Sequence, residues 1–291
     1  MFLNHYTDLL IALHKVQNPG VVVLSADLQG LVSIATVAAS STVRSVIVGR
    51  HDRADVHLAR PDTALRHLQI LVWTDEDQRL RYRVLDLRTD LGLRNEGGER
   101  LHGIEASGTA FVEVGAYTLM VVPRQGPLQW PQDPVAAWRA LPARRLRPIV
   151  GATTTDAAPS VDSPTVVHEL PALSDGDESS HHPIGTIYLR SERGTRRLVM
   201  DPMALRSGVL LGRHTRCDGG GMDGPCGPRI SRVHAIVFEA GGVLYLADCG
   251  SSNGVWRDGK QETQPVPFSP GEELYLGPPQ ESSSVRVRWV R

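Results

Sequence analysis

Aromatic side chains are scarce, cysteines number three and neither charge sign dominates: of 291 residues 5% are aromatic, and the formal net charge is -1. Without a basic excess the chain cannot neutralise a run of phosphates, so no nucleic-acid partner is expected. The longest apolar stretches, residues 21–24 and 31–40, are separated by Asp27, Gln29 and Gly30 and are far shorter than a bilayer span, so no membrane insertion is expected. The apolar patch at 9–13 follows Asp8 and has no cationic leader or small-residue cleavage site beside it, which argues against secretion. Cys217, Cys226 and Cys249 form an odd set unlike a disulfide framework and fit a reducing compartment, so the expected location is cytoplasmic.

The length suits two compact domains and a connector. Residues 1–18 carry Phe2, Tyr6, Leu9, Leu10 and Leu13 at intervals of three to four, which predicts a short amphipathic N-terminal helix. Residues 19–123 break into short β-rich runs at 45–48, 80–85, 111–114 and 117–122. In one of them Leu80, Tyr82 and Val84 alternate with Arg81 and Arg83, as in a strand with one buried and one wet face. Residues 124–183 are rich in Pro, Ala, Ser, Thr and Asp and predict a disordered linker, apart from a short periodic piece at 134–141. From 184 to 291 short strands return, ending on Val285, Val287 and Trp289 alternating with Arg286 and Arg288. The fold class is all-β.

The two β-rich parts repeat one another. Residues 247–259 lie without a gap on 85–97, with Asp248 on Asp86, Gly254 on Gly92 and Gly259 on Gly97. Upstream, Gly212-Arg213-His214 matches Gly49-Arg50-His51, and His234 matches His67. The chain reads as a tandem duplication.

In the second copy three short elements end strand-like runs: Gly212-Arg213, Ser231-Arg232-Val233-His234 and Ser251-Ser252-Asn253-Gly254. A β-sandwich gathers its loops at its ends, so such elements can form one shallow site. Arg213 supplies a permanently charged donor fork, Ser231 and Ser252 supply hydroxyls, and Asn253 supplies a donor and an acceptor for a peptide backbone. That set fits a phosphate ester on an extended peptide. It includes no nucleophile with its base and no Asp and His cluster to hold a metal against the phosphate, so a binding protein rather than an enzyme is expected. Taken singly each residue has an ordinary reading, Asn253-Gly254 as a hairpin turn and Arg213 as a surface arginine. Their joint order and the earlier echo of the same skeleton favour a site.

This pattern resembles the forkhead-associated (FHA) family, whose motif runs Gly-Arg, Ser-x-x-His and Ser/Thr-Asn-Gly in that order. The resemblance implies two FHA-type antiparallel β-sandwiches, the second, 184–291, a phosphothreonine-binding domain. It implies phosphate contacts from Arg213, Ser231 and Ser252, a main-chain clamp at Asn253, loop-shaping roles for Gly212, His234 and Gly254, and a supporting role for Arg232. It further implies an adaptor in serine/threonine kinase signalling, without cofactor. The partner would be a threonine-phosphorylated protein or peptide, such as a kinase or its substrate, with Thr153, Thr154, Thr155 and Thr165 as conceivable self-ligands. The alternative is a phosphate-independent scaffold using both sandwiches.

The first copy departs at the ligand positions: Ala64 stands for Ser231, Asp90 for Ser252 and Leu91 for Asn253. A carboxylate beside the phosphate position repels a dianion, so this copy is expected to keep the fold and lose the ligand. The loop 214–226 is longer in the second copy by four residues. Its Cys217, Cys226 and His214 lack zinc spacing, and Asp218 and Asp223 lack a calcium register, so the expectation is a flexible glycine-rich border to the groove and no metal.

Overall fold

The computed structural model describes residues 2–30, 32–126, 130–148, 165–171, 183–221 and 224–291. The chain divides into two compact units, Met1–Ala172 and Leu173–Arg291.

The first unit begins with a 3-10 turn, Leu3–His5, running into α1 (Tyr6–Lys15). Its strands are β1 (Gly20–Ala26), β2 (Val32–Ala38), β3 (Arg44–Gly49), β4 (Val56–His57), β5 (Leu68–Thr74), β6 (Leu80–Asp86), β7 (Leu93–Arg94), β8 (Arg100–Ala106), β9 (Ala110–Val114) and β10 (Tyr117–Arg124). After them come α2 (Pro134–Ala140), β11 (Arg144–Pro148) and β12 (Thr165–Pro171). The second unit holds β13 (Gly185–Ser191), β14 (Gly194–Met200), α3 (Pro202–Ser207), β15 (Val209–Leu211), β16 (Ala235–Ala240), β17 (Val243–Asp248), β18 (Val255–Arg257), β19 (Lys260–Glu262), β20 (Val266–Pro267), β21 (Glu273–Leu276) and β22 (Val285–Val290).

Strand order bears out the tandem reading. The second unit has one sheet ordered β14-β13-β22-β21-β18-β19 and a second ordered β15-β16-β17-β20. The first unit runs β2-β1-β10-β9-β7-β8 and continues β8-β6-β5-β3, the same sequence of neighbours joined at β8, with the two-residue β4 added beside β3. The join has a physical cause. β8 pairs with β7 at Leu101 and with β6 from Gly103 to Ala106, passing between sheets at Gly103, where a Cβ would crowd the Val84 carbonyl at 2.5 Å. In the second unit the same passage is broken between β19 and β20, where Pro265 offers no N–H to a ladder. Each core lies between its two layers: Val23, Ile70, Tyr82, Val112 and Val121 in the first, Ile187, Leu211, Val237, Leu246 and Val287 in the second.

Three expectations change here. The boundaries at 18/19 and 123/124 both fall inside the first unit. α1 lays Tyr6, Leu9 and Leu13 over Val22, Leu24, Met120 and Val122, and Arg124 Nη1 caps its end by donating to the Leu13 and Val16 carbonyls at 2.6 and 2.8 Å. The segment 124–183 is not wholly a disordered linker. Asp133 caps α2 by accepting from the Ala136 N–H at 2.7 Å, and β12 adds to the free edge of β8 with β11 beyond it. Thr153, Thr154 and Thr155 lie outside the described residues, whereas Thr165 opens β12 and pairs with Arg144. Finally, Arg83 is not on a wet face: it is 2% exposed, salt-bridged to Glu105 at 2.6 Å and stacked on Trp73. Among the described residues no helix is long and apolar enough to cross a membrane.

Candidate functional site

β15 ends at Leu211, and the next residue, Gly212, lies so close to the loop before β16 that a Cβ there would strike the Arg232 carbonyl. That approach lets the Arg213 and His214 amides donate to the Ser231 and Arg232 carbonyls at 3.2 and 3.0 Å, locking the Gly-Arg element to the Ser-x-x-His element. His234 joins the third element. Its Nδ1 accepts from the Ser231 N–H at 3.2 Å, which leaves the proton on Nε2, 2.9 Å from the Gly254 carbonyl and 3.0 Å from Ser251 Oγ. The ring is fully buried. Gly254 turns the chain at φ 71°, in the left-handed region that glycine adopts without penalty.

This frame ties the backbones of Arg213 and Ser252 to Ser231. The Ser231 hydroxyl oxygen accepts from the Ser252 N–H at 3.1 Å, so its proton is available to a ligand. Arg213, Arg232 and Ser252 are exposed and Ser231 is half-buried. Neither the Arg213 nor the Arg232 guanidinium has a hydrogen bond or ion pair among the described residues. Asn253 donates Nδ2 to the Arg229 carbonyl at 2.8 Å, which fixes the side chain and leaves its carbonyl oxygen for a peptide N–H. Arg229 is itself held by Glu281 at 2.6 Å.

Sequence reasoning passed over Ser251 as a functional position. Its Oγ accepts from the Gly254 N–H at 2.8 Å while its own N–H donates to Asp248 at 2.9 Å, so it ties His234 to the Asn-Gly turn. The available signal was Thr89 at the matching place in the first copy, which makes the same bonds to His67, Gly92 and Asp86.

The long loop is packed rather than flexible over its described residues. Gly219 and Gly220 sit where a Cβ would meet Leu189 and the His214 carbonyl, so these glycines serve close packing. Cys217 and Cys226 are buried, and Cys217 Sγ lies 3.2 Å from the Arg232 carbonyl. Burial pushes the Cys226 thiol up to about 11, against the smaller opposing pull of the Gly212 backbone hydrogen bond and of Arg196. It is therefore a neutral core group at physiological pH. Asp218 accepts from the Leu210 N–H at 2.8 Å, and Met222 and Asp223 lie outside the described residues.

The first unit repeats the frame bond for bond. Arg50 and His51 donate to the Ala64 and Leu65 carbonyls at 3.0 Å each, and His67 accepts from the Ala64 N–H at 3.3 Å and stands 3.1 Å from the Gly92 carbonyl. The ligand positions differ. Asp90 is exposed, Leu91 packs over Gly115, and Arg50 donates Nε to the Thr63 carbonyl at 3.1 Å.

A two-sheet sandwich with a cationic loop site at one end defines a class of recognition domain. The comparisons agree with that class. Residues 209–277 match the family model described as FHA domain, and the second unit carries an FHA domain. Among curated proteins no sequence matches the chain. The solved structures it resembles include the FHA-1 domain of Mycobacterium tuberculosis Rv1747, at 24% identity and TM-score 0.28 over 37% of this chain and 99% of that one. Another is the N-terminal FHA domain of S. cerevisiae Rad53p in complex with a phosphothreonine peptide, at 25% identity and TM-score 0.29 over 36% and 92%. A third is the FHA domain of CT664 from Chlamydia trachomatis, at 18% identity and TM-score 0.30 over 35% and 96%.

Proposed function

We propose that the chain is a non-catalytic adaptor in serine/threonine kinase signalling whose second unit binds a phosphothreonine peptide. Arg213 and the Ser231 and Ser252 hydroxyls hold the phosphate, Asn253 holds the peptide main chain, and Arg232 lends positive potential from the rim. Gly212, His234 and Gly254 shape the loops. The observation that carries this reading is an exposed Arg213 guanidinium, without a partner among the described residues, on the element whose backbone is hydrogen-bonded to Ser231, the Ser231 hydroxyl being itself 3.1 Å from the Ser252 amide. Charge-assisted hydrogen bonds to a dianion contribute about twice a neutral one, so a site of this kind favours the phosphorylated peptide strongly over its parent.

The first unit, in this reading, is an FHA-type sandwich that has lost phosphate recognition through Ala64, Asp90 and Leu91. The test is calorimetric titration of the full chain with a phosphothreonine peptide selected from an oriented library, beside the same peptide dephosphorylated. Binding that vanishes with the phosphate is expected. Equal binding of both peptides would replace this reading with the phosphate-independent scaffold.

A further inference from the structure

Among the described residues nothing covers the outer face of the six-stranded sheet of the second unit, and that face has a definite chemical pattern. Ile187 and Leu189 are core residues, so Thr186, Tyr188 and Arg190 face outward along β13. The strand register fixes what stands beside them. Val199, Thr186 and Val290 form one rung, Arg197, Tyr188, Arg288 and Glu273 the next, and Thr195, Arg190, Arg286 and Tyr275 the third.

Val199 and Val290 are 52% and 39% exposed. Four arginines share the strand rungs of the face with Glu273, which lies 3.3 Å from Arg286, and Glu192 and Glu281 stand at the far end of the face beyond Arg190 and Arg286. Arg190, Arg197 and Arg288 have no carboxylate partner among the described residues. A depression of about 430 Å³ runs between Tyr188, Arg190, Arg288 and Val290, and a second of about 390 Å³ continues past Arg190 and Arg286 to Tyr275.

Two facts indicate that something docks here. Arg190 lies directly opposite Arg286, a like-charge relation that destabilises a sheet; Glu273 offsets the charge of Arg286, and Arg190, Arg197 and Arg288 have no carboxylate to offset theirs among the described residues. The equivalent face of the first unit is occupied: there Leu24 opposite Met120 and Val22 opposite Val122 are apolar and lie beneath α1. The same face of the same sheet thus takes a polypeptide element in one copy, and in the other is cationic and, among the described residues, open.

We propose that this face docks an acidic, extended segment of a partner protein whose pattern is an aliphatic residue followed by carboxylates at the second and fourth positions after it. Alternate side chains of an extended segment repeat every ~6.6 Å, which is also the repeat of Val290, Arg288 and Arg286 along β22. The aliphatic group seats on Val199 and Val290, and the carboxylates meet Arg288 with Arg197, then Arg190 with Arg286, as bidentate pairs. A nucleic acid could satisfy the arginines but has no aliphatic group for the valine end.

The test uses the full chain and a fluorescein-labelled peptide of repeated Leu-Ser-Glu-Ser-Glu, followed by anisotropy. The wild type is expected to bind it, with affinity falling as salt rises. Arg190→Glu with Arg288→Glu should weaken binding about tenfold or more, and the milder Arg190→Ala with Arg288→Ala should weaken it several-fold. Arg139→Glu with Arg145→Glu, an equal charge change on exposed residues of the first unit, should leave it within twofold. The proposal is overturned if the wild type does not bind the peptide, if the first-unit control weakens binding as much, or if a single-stranded oligothymidylate of equal length binds more tightly.

Discussion

The two units are built on one loop frame and differ in what they hang on it. In each a buried histidine accepts an amide proton on Nδ1 and faces a glycine carbonyl with Nε2, at 2.9 Å for His234 and 3.1 Å for His67. In each a left-handed glycine follows, at φ 71° for Gly254 and 70° for Gly92. The functional arginine separates them. Arg213 is exposed and without a partner among the described residues, whereas Arg50 is half-buried and donates to its own loop at Thr63. The Gly-Arg and His shared by both copies therefore report on folding of the loops, and under the proposed function the ligand chemistry would reside in Ser231, Ser252 and Asn253 and in the exposed arginine. A copy can keep the first set without the second.

The largest effect that could break this comparison is removal of the shared histidine. His234→Ala leaves the Ser231 amide and the Gly254 carbonyl without their partner in a buried place, and His67→Ala does the same to Ala64 and Gly92. Each should lower the stability of its own unit by roughly 2–4 kcal/mol, the sum of unsatisfied groups and a cavity. Hydrogen exchange resolved by unit is the measurement; a loss in one unit and not in the other would show that the frames are not equivalent.

Alkaline pH sharpens the comparison next, through a cysteine whose thiol burial raises. The Cys226 thiol, raised from 9.0 to about 11 by burial, holds its proton in the folded state after the unfolded chain has released it. The folded state then binds more protons, so stability of the second unit falls as pH rises from about 9 to about 11, by about 2 kcal/mol in all. Denaturant titrations across that range should show the fall in wild type and a flatter curve in Cys226→Ser. The first unit has no such cysteine, but burial raises its Tyr82 and Tyr6 phenols, so it too loses stability at high pH and the contrast that reports on Cys226 is wild type against Cys226→Ser.

Within the second unit, the proposed reading of phosphothreonine requires a niche for the threonine methyl. One buried methyl contributes roughly 1 kcal/mol, so matched phosphothreonine and phosphoserine peptides should differ several-fold in affinity by calorimetry. Equal affinities would remove the niche. The smallest effect is a gain. Ala64→Ser, Asp90→Ser and Leu91→Asn together remove the carboxylate and return two hydroxyls and an amide to the first unit, each hydrogen bond contributing on the order of 1 kcal/mol. Weak phosphopeptide binding by a variant that also carries Arg213→Ala, seen by anisotropy, is the expected outcome; none would show that the Arg50 bond to Thr63 holds the site closed.

What the sequence disclosed follows the same division. The motif elements and the repeat were legible because each is local: a glycine that must approach a carbonyl, a histidine three residues after a serine, an Asn-Gly turn. The additions to the first unit were not. β11 is Arg144-Arg145-Leu146-Arg147-Pro148, with no alternation of apolar and polar residues, and it becomes a strand because β12 offers a ladder beside it. β12 in turn is ordered by the edge of β8, a tertiary partner that composition does not record. Arg83 misled for a related reason, since alternation implied water on its face and the chain supplies Glu105 and Trp73 there instead. The bond from Arg50 to Thr63 was hidden because the sequence shows the same Gly-Arg-His in both copies.

The central claim is tested most directly by one matched pair of variants in the full chain, Arg213→Ala and Arg50→Ala, titrated calorimetrically with a single phosphothreonine peptide. Arg213→Ala should reduce affinity by about a hundredfold or more, the loss of roughly 3 kcal/mol of charge-assisted bonding, while Arg50→Ala should leave it unchanged. Wild-type affinity in Arg213→Ala, or an equal loss in Arg50→Ala, would contradict the account.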